Sequence, residues 1–276
     1  MPKALREDVA KSNLRPTPFA EVVHQMFNPL NYPFLVLVVL LLTFWLAARI
    51  GDLLRARRKN EDNHEDFLFV IGGTLTLLGL LIGFSFSMAV NRYDQRKNYE
   101  AQEANAIGTA YSRADLLPAA DASKVRSLLT SYLDQRIFTY DSRTERQYRQ
   151  NSVQTARLQS GLWSAVTQPT AIQPNPIGAR ILDSVNDVLS SQAYAQAAWR
   201  NRIPIAAWIL LMAISVLCNL LLGYSAHGRS AFLLFVLPVA LSISLFLIAD
   251  IDSPYRGVIR VAPQNLEGLA ESLRSQ

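Results

Sequence analysis

The sequence of 276 residues predicts an all-α membrane protein: four transmembrane helices with a helical extramembrane domain between the second and the third. Three observations predict it. Four apolar blocks, at 33–50, 67–90, 203–224 and 231–251, each approach the ~20 residues that cross a bilayer and carry no charge in their central part. None of them shows the polar position every third or fourth residue that marks the exposed stripe of a soluble helix. Residues 91–202, in contrast, are polar with a helical spacing of apolar positions. The mean hydropathy of +0.12 is modest only because the apolar residues are gathered into those blocks.

Residues 1–32 form a polar lead-in in which Arg15-Pro16-Thr17-Pro18 breaks helices and 19–27 can make a short amphipathic helix or remain a tail. No small-residue cleavage motif follows the first block, so a cleavable signal peptide is not expected. The first span (33–50) leads into a charge-dense loop, GDLLRARRKNEDNHED. The second span opens the stretch on which the chain is organised, residues 66–111. No proline interrupts it, and as one helix it would be about 69 Å long at 1.5 Å per residue, roughly twice the hydrocarbon core.

Within that span, the small and polar residues share a side. At 100° per residue, Gly72, Thr76, Gly79, Gly83 and Ser87 fall within about 80°, with Leu80 and Phe84 at the edge of the arc. Leu75, Leu78, Leu81 and Ile82 point away. Two readings stay open: Gly79-x-x-x-Gly83 packs closely on another helix, or the face lines a pore or symmetry axis.

The extramembrane domain, 91–202, reads as a helical bundle. The rod ends near Leu117-Pro118, and Asp121 or Ser123 can cap a helix with Val125, Leu128, Leu129, Tyr132, Leu133 and Ile137 on one face. A second helix covers roughly 144–166, a proline-rich break follows at 168–176, and a third runs from 177 to about 200. Pro204 suits the first turn of the third span. The third and fourth spans, within 203–251, are joined by a short link and should form a hairpin, with Pro238 kinking the fourth. An amphipathic tail, 252–276, completes the chain.

Chemistry is sparse. There is no Gly-rich phosphate loop and no His-Glu-x-x-His. Gly83-Phe84-Ser85-Phe86-Ser87 resembles a nucleophile elbow only superficially, because it lies in an apolar span with no base nearby. An enzyme is therefore not expected, nor a cofactor. The histidines (His24, His64, His227) lie in three different segments and Cys218 lies inside a span, so no metal cluster is expected. The net charge of +5 is scattered, with no nucleic-acid patch. No ionisable residue sits mid-membrane, which argues against a proton-coupled transporter.

Two polar segments stand apart. The segment 100–105 (EAQEAN), with Gly108 and Thr109, places Glu103 and Asn105 on the rod where small residues tighten its packing, and it can equally belong to a solvated or bundle-packed face. Asp250-x-Asp252-x-Pro254 at a membrane exit can contribute to a cation site or simply end a helix in a polar turn, and Ca²⁺ wants six to eight oxygens.

These residues carry a family likeness. Gly83-Phe84 followed by Asn91-Arg92-Tyr93-Asp94-Gln95-Arg96 resembles the exit of the second span in bestrophins. Glu103-Ala104-Asn105-Ala106-Ile107-Gly108-Thr109-Ala110-Tyr111 and Asp250-Ile251-Asp252-x-Pro254-x-x-Gly257-x-Ile259-Arg260 are similar to the bacterial bestrophin-like family of unknown function. The resemblance implies a homo-oligomer, a pentamer around a central pore for small anions such as chloride, embedded in the lipid bilayer of a bacterial inner membrane. The second span would line the neck with Thr76, Leu80 and Phe84, of which Thr76 departs from the bulky apolar pattern. Of the acidic cluster that clasps calcium in bestrophins only Asp250 and Asp252 match, so calcium gating is not carried over.

Sidedness is balanced. An even number of spans puts both termini and the large domain on one side. Arg49, Arg55, Arg57, Arg58, Lys59 and Arg229 lie in the loops, against Arg92, Arg96, Lys97, Arg200, Arg202, Arg256 and Arg260 on the domain side. The first span alone favours an outside N-terminus, whereas the resemblance prefers a cytoplasmic domain. The expected function is an anion channel. The alternative is a non-conducting scaffold or sensor whose helical domain binds a partner.

Overall fold

A computed structural model describes residues 33–57, 64–172, 176–225, 233–255 and 257–275. The lead-in, with its short amphipathic segment, and the link between the last two spans lie outside the described residues. Eight α-helices and one 3₁₀ turn (Ala114–Leu116) make up the described chain, without a strand. In order they are α1 (Pro33–Arg57), α2 (His64–Arg113), α3 (Ala119–Tyr140), α4 (Glu145–Ile172), α5 (Pro176–Arg200), α6 (Ile205–Ser225), α7 (Leu233–Asp252) and α8 (Gln264–Arg274). Four stretches are long and apolar enough to span a membrane, carried by α1, the first part of α2, α6 and α7.

The rod forms as one helix of 50 residues, about 75 Å at 1.5 Å per residue. Its apolar half joins a membrane core in which Leu78 and Ala89 meet Leu40 and Phe44 of α1, Leu211 and Cys218 of α6, and Leu241, Leu245 and Ile248 of α7. Its polar half joins a second core. There Ala104, Ile107 and Ala110 meet Val125, Leu129 and Leu133 of α3, Leu162 of α4, Ile181, Val185 and Val188 of α5, and Leu266 of α8. In water each such fully buried Leu, Ile or Val contributes about 1.5–3 kcal/mol. Between lipid-bathed helices that driving force is absent, and close packing replaces it.

Close packing occurs where α1 crosses α6. A Cβ at Gly51 would overlap the Leu220 carbonyl oxygen, and one at Gly223 would overlap that of Ala48. The sequence places Gly51 at the start of a loop, but α1 continues through it to Arg57. The hairpin expected of α6 and α7 is also looser than expected: each packs more extensively on α1 than on the other.

Two further boundaries move. Pro118, not Asp121 or Ser123, occupies the N-cap of α3, so that Asp121 falls in the first turn. The Ala122 N–H donates to the Pro118 carbonyl at 2.9 Å. α4 continues through Pro169 to Ile172, since a proline near a helix end forfeits one ladder hydrogen bond but leaves a final turn possible. Pro204 precedes α6 and accepts from the Ala207 N–H at 3.0 Å.

Candidate functional site

The side of α2 singled out by the sequence is uncovered. Around the Cα of Gly72, Gly73, Gly79 and Gly83 an added Cβ would meet nothing within 4 Å. Thr76, Leu80, Phe84 and Ser87 are exposed on the same side, Leu80 by 55% and Phe84 by 60%. Those glycines therefore pack on no other helix among the described residues. Leu75, Leu81 and Ile82 turn to the membrane core instead. The hydroxyl of Thr76 donates to the Gly72 carbonyl at 2.9 Å, so its own helix absorbs its polarity.

The exposed side of α1 differs in kind: Phe34, Leu35, Val38, Leu42 and Leu46 present large apolar groups suited to acyl chains. A face of Gly, Thr and Ser, punctuated by Phe69, Leu77, Leu80 and Phe84, offers lipid less dispersion contact.

Beyond the membrane, α2 turns its ionised residues inward. Glu103 has no exposed surface. Its carboxylate forms a buried ion pair with Arg136 of α3, through Nε and through Nη2 at 3.1 Å. The hydroxyls of Tyr132 and Tyr140 also donate to it, each at 3.4 Å. Burial opposes the charge on Arg136, but Glu103, with Tyr132 and Tyr140, more than offsets it and holds the guanidinium pKa above its usual value. Burial, reinforced by Glu103, raises both phenols above the ordinary tyrosine range. The sequence flagged Glu103 and missed its partners. Their signal was present: Tyr132, Arg136 and Tyr140 recur every four residues on one face of α3.

One turn earlier, Glu100, also fully buried, accepts the backbone N–H groups of Asn265 and Leu266 at 2.9 and 3.0 Å. These are orphan donors at the N-terminus of α8, so a carboxylate on the pore-candidate helix docks the tail. A Cβ added at Gly108 would press on Leu269 of that tail, whereas Asn105 is exposed.

At the membrane exit, Arg96 donates to the carbonyls of Ile251 and Asp252 at 3.1 and 3.0 Å, capping the C-terminus of α7. Burial lowers its pKa and Asp252 opposes that. The Asp252 carboxylate takes the Ile203 N–H at 3.2 Å on both oxygens and pairs with Arg92 at 3.3 Å. Asp250 instead turns to the following loop and accepts the N–H groups of Val258 and Ile259, each at 2.8 Å. Gly257 is required there because a Cβ would overlap the Asp250 carbonyl oxygen. Pro254 is buried in the intervening turn. The motif thus locks three chain segments with backbone donors, and its two carboxylates face different partners. Among the described residues no group of three His, Cys, Asp or Glu side chains could hold a metal ion.

A model of the Bestrophin-like domain matches residues 34–266. No curated protein matches the sequence significantly. Among solved structures, two single-site variants of a bacterial bestrophin homolog from Klebsiella pneumoniae superpose with TM-scores of 0.59 and 0.61. Both are 15% identical, covering 85% and 88% of this chain and 99% of theirs. A variant described only as a membrane protein superposes with a TM-score of 0.64 at 13% identity, covering 87% of this chain and 97% of that one. The four spans, the intervening helical domain and the match across both place this integral membrane protein in the Bestrophin-like family.

Proposed function

We propose that the chain is one subunit of an oligomeric anion channel in a bacterial inner membrane, with α2 lining the pore and the helical domain in the cytoplasm. The observation that carries this reading is the uncovered face of α2. Over four turns it offers Gly72, Gly79 and Gly83 with no neighbour among the described residues, and no charge. Such a face suits copies gathered about an axis, where small residues let backbones approach and Leu80 and Phe84 narrow the opening. Membership of the Bestrophin-like family supports it, and five copies are the number expected on that ground. Thr76, its hydroxyl already donated, completes the apolar constriction one turn from Leu80.

Native mass spectrometry of the purified protein, with chloride flux into liposomes, tests this. Five copies and flux that rises in Leu80→Ala/Phe84→Ala are expected. A folded oligomer that passes no anion would refute conduction. A monomer or dimer whose α2 face is closed by another helix would favour the non-conducting scaffold.

A further inference from the structure

The uncovered face of α2 does not stop at the membrane. Asn91, Gln95, Asn98, Gln102, Asn105 and Thr109 follow Phe84 and Ser87 at intervals of four and three residues, and all are exposed. At 100° per residue these six share an arc of roughly 80°, in line with Leu80 and Phe84. The same helix buries Arg96, Glu100 and Glu103 on its opposite side. That inverts the usual sorting, in which a water-facing helix side carries charges and the packed side does not. Asp94 and Lys97 are exposed near the membrane, about 20° and about 80° outside the arc. From Asn98 to Ser112 no charged side chain is exposed.

Solubility does not call for this arrangement, since Lys or Glu would serve an ordinary wet face better. A neutral hydrogen-bonding track does suit a permeation path. Carboxamide N–H groups replace part of an anion's hydration, while the absence of fixed charge leaves no site deep enough to trap it. We propose that this carboxamide ladder, centred on Asn98, Gln102 and Asn105, is the aqueous continuation of the pore and passes small monovalent anions to the apolar constriction at Phe84. The inference rests on the channel reading above and adds its selectivity surface.

Isosteric charge replacement tests it in the full-length protein. Asn98→Asp/Asn105→Asp is reconstituted in liposomes and the reversal potential is read in a KCl gradient. The chloride-to-potassium permeability ratio should fall at least about tenfold, because a ring of carboxylates repels anions at close range. A second variant, Asn98→Cys in a Cys218→Ala background, reports water access independently of conduction. It should react quickly with a charged thiol reagent in the assembled oligomer. An unchanged reversal potential in a conducting oligomer overturns the ladder and leaves the channel standing. Slow modification in the oligomer but fast modification in dissociated subunits overturns it too, showing a polar contact between copies. A wild-type oligomer without flux overturns both readings.

Discussion

Replacing Glu103 by Gln removes one charge from a site that water does not reach. Arg136 then keeps its guanidinium buried at 3% exposure with no counter-charge, and its Nη1 already lacks a partner. Removing one partner of a buried ion pair costs about 3–5 kcal/mol, because the remaining charge is uncompensated. With a Tm change of about 2–4 °C per kcal/mol for chains somewhat shorter than this one, Tm should fall by about 6–20 °C. Glu103→Gln/Arg136→Met removes both charges, fills the space with an apolar chain, and leaves an amide oxygen to accept from Tyr132 and Tyr140. It should recover most of the loss, since replacing a whole buried pair is often close to neutral. The assay is a double-mutant cycle by thermal unfolding in detergent, at fixed protein concentration because an oligomer's stability depends on it. A single mutant within about 1 kcal/mol of wild type would refute the reasoning, as would a double mutant as unstable as the sum of the singles.

Three further outcomes follow from the same geometry. Gly51→Ala or Gly223→Ala should force α1 from α6 and abolish the folded yield, whereas Gly79→Ala, which meets open space within the subunit, should leave the helical content and yield of the subunit unchanged; size-exclusion profiles with circular dichroism decide this. Glu100→Gln weakens the charge-assisted hold on two N-terminal donors of α8, so the tail should be cut faster by protease while the bundle stays intact; equal cleavage rates would contradict the docking role. Because Tyr132 and Tyr140 have raised pKa values, the unfolded chain ionises first as pH climbs. Their contribution is thus complete below pH about 10 and declines above it, by about 1.4 kcal/mol per pH unit for each tyrosine. A Tm constant from pH 9 to 11 would count against it.

Features written in consecutive residues were legible in the sequence. The spans are continuous apolar runs, and the rod shows because no proline breaks it. The arc of small and polar residues on α2 follows from 100° per residue, but that no other helix of the described residues covers it does not. Legibility failed where distant segments meet. Nothing near Gly51 marks it as a contact, because the residue it must admit, Leu220, belongs to a helix far along the chain. Glu100 opens a polar segment that stands out in the sequence, but nothing near it points to the tail, 165 positions on, that supplies its donors. Arg136 lies among Leu129, Leu133 and Ile137, but apolar periodicity gives a charged position no weight, so its burial does not show in the sequence. The caps failed for a different reason: Pro118 presets the backbone for a first turn, which an inventory of Asp and Ser misses.

The unbroken length of α2 also restricts how its gene can change. One residue inserted between Phe84 and Asn98 would turn everything beyond it by about 100° relative to the membrane half. Glu100 and Glu103 would leave Asn265 and Arg136, and the amide side would rotate into the bundle. An insertion of seven residues misses registry by only about 20°, yet lifts the domain by about 10 Å from the exit of α7, where Arg96 holds the ends together. Length variation is therefore expelled to the connections between helices, and α2 behaves as an indivisible unit of inheritance.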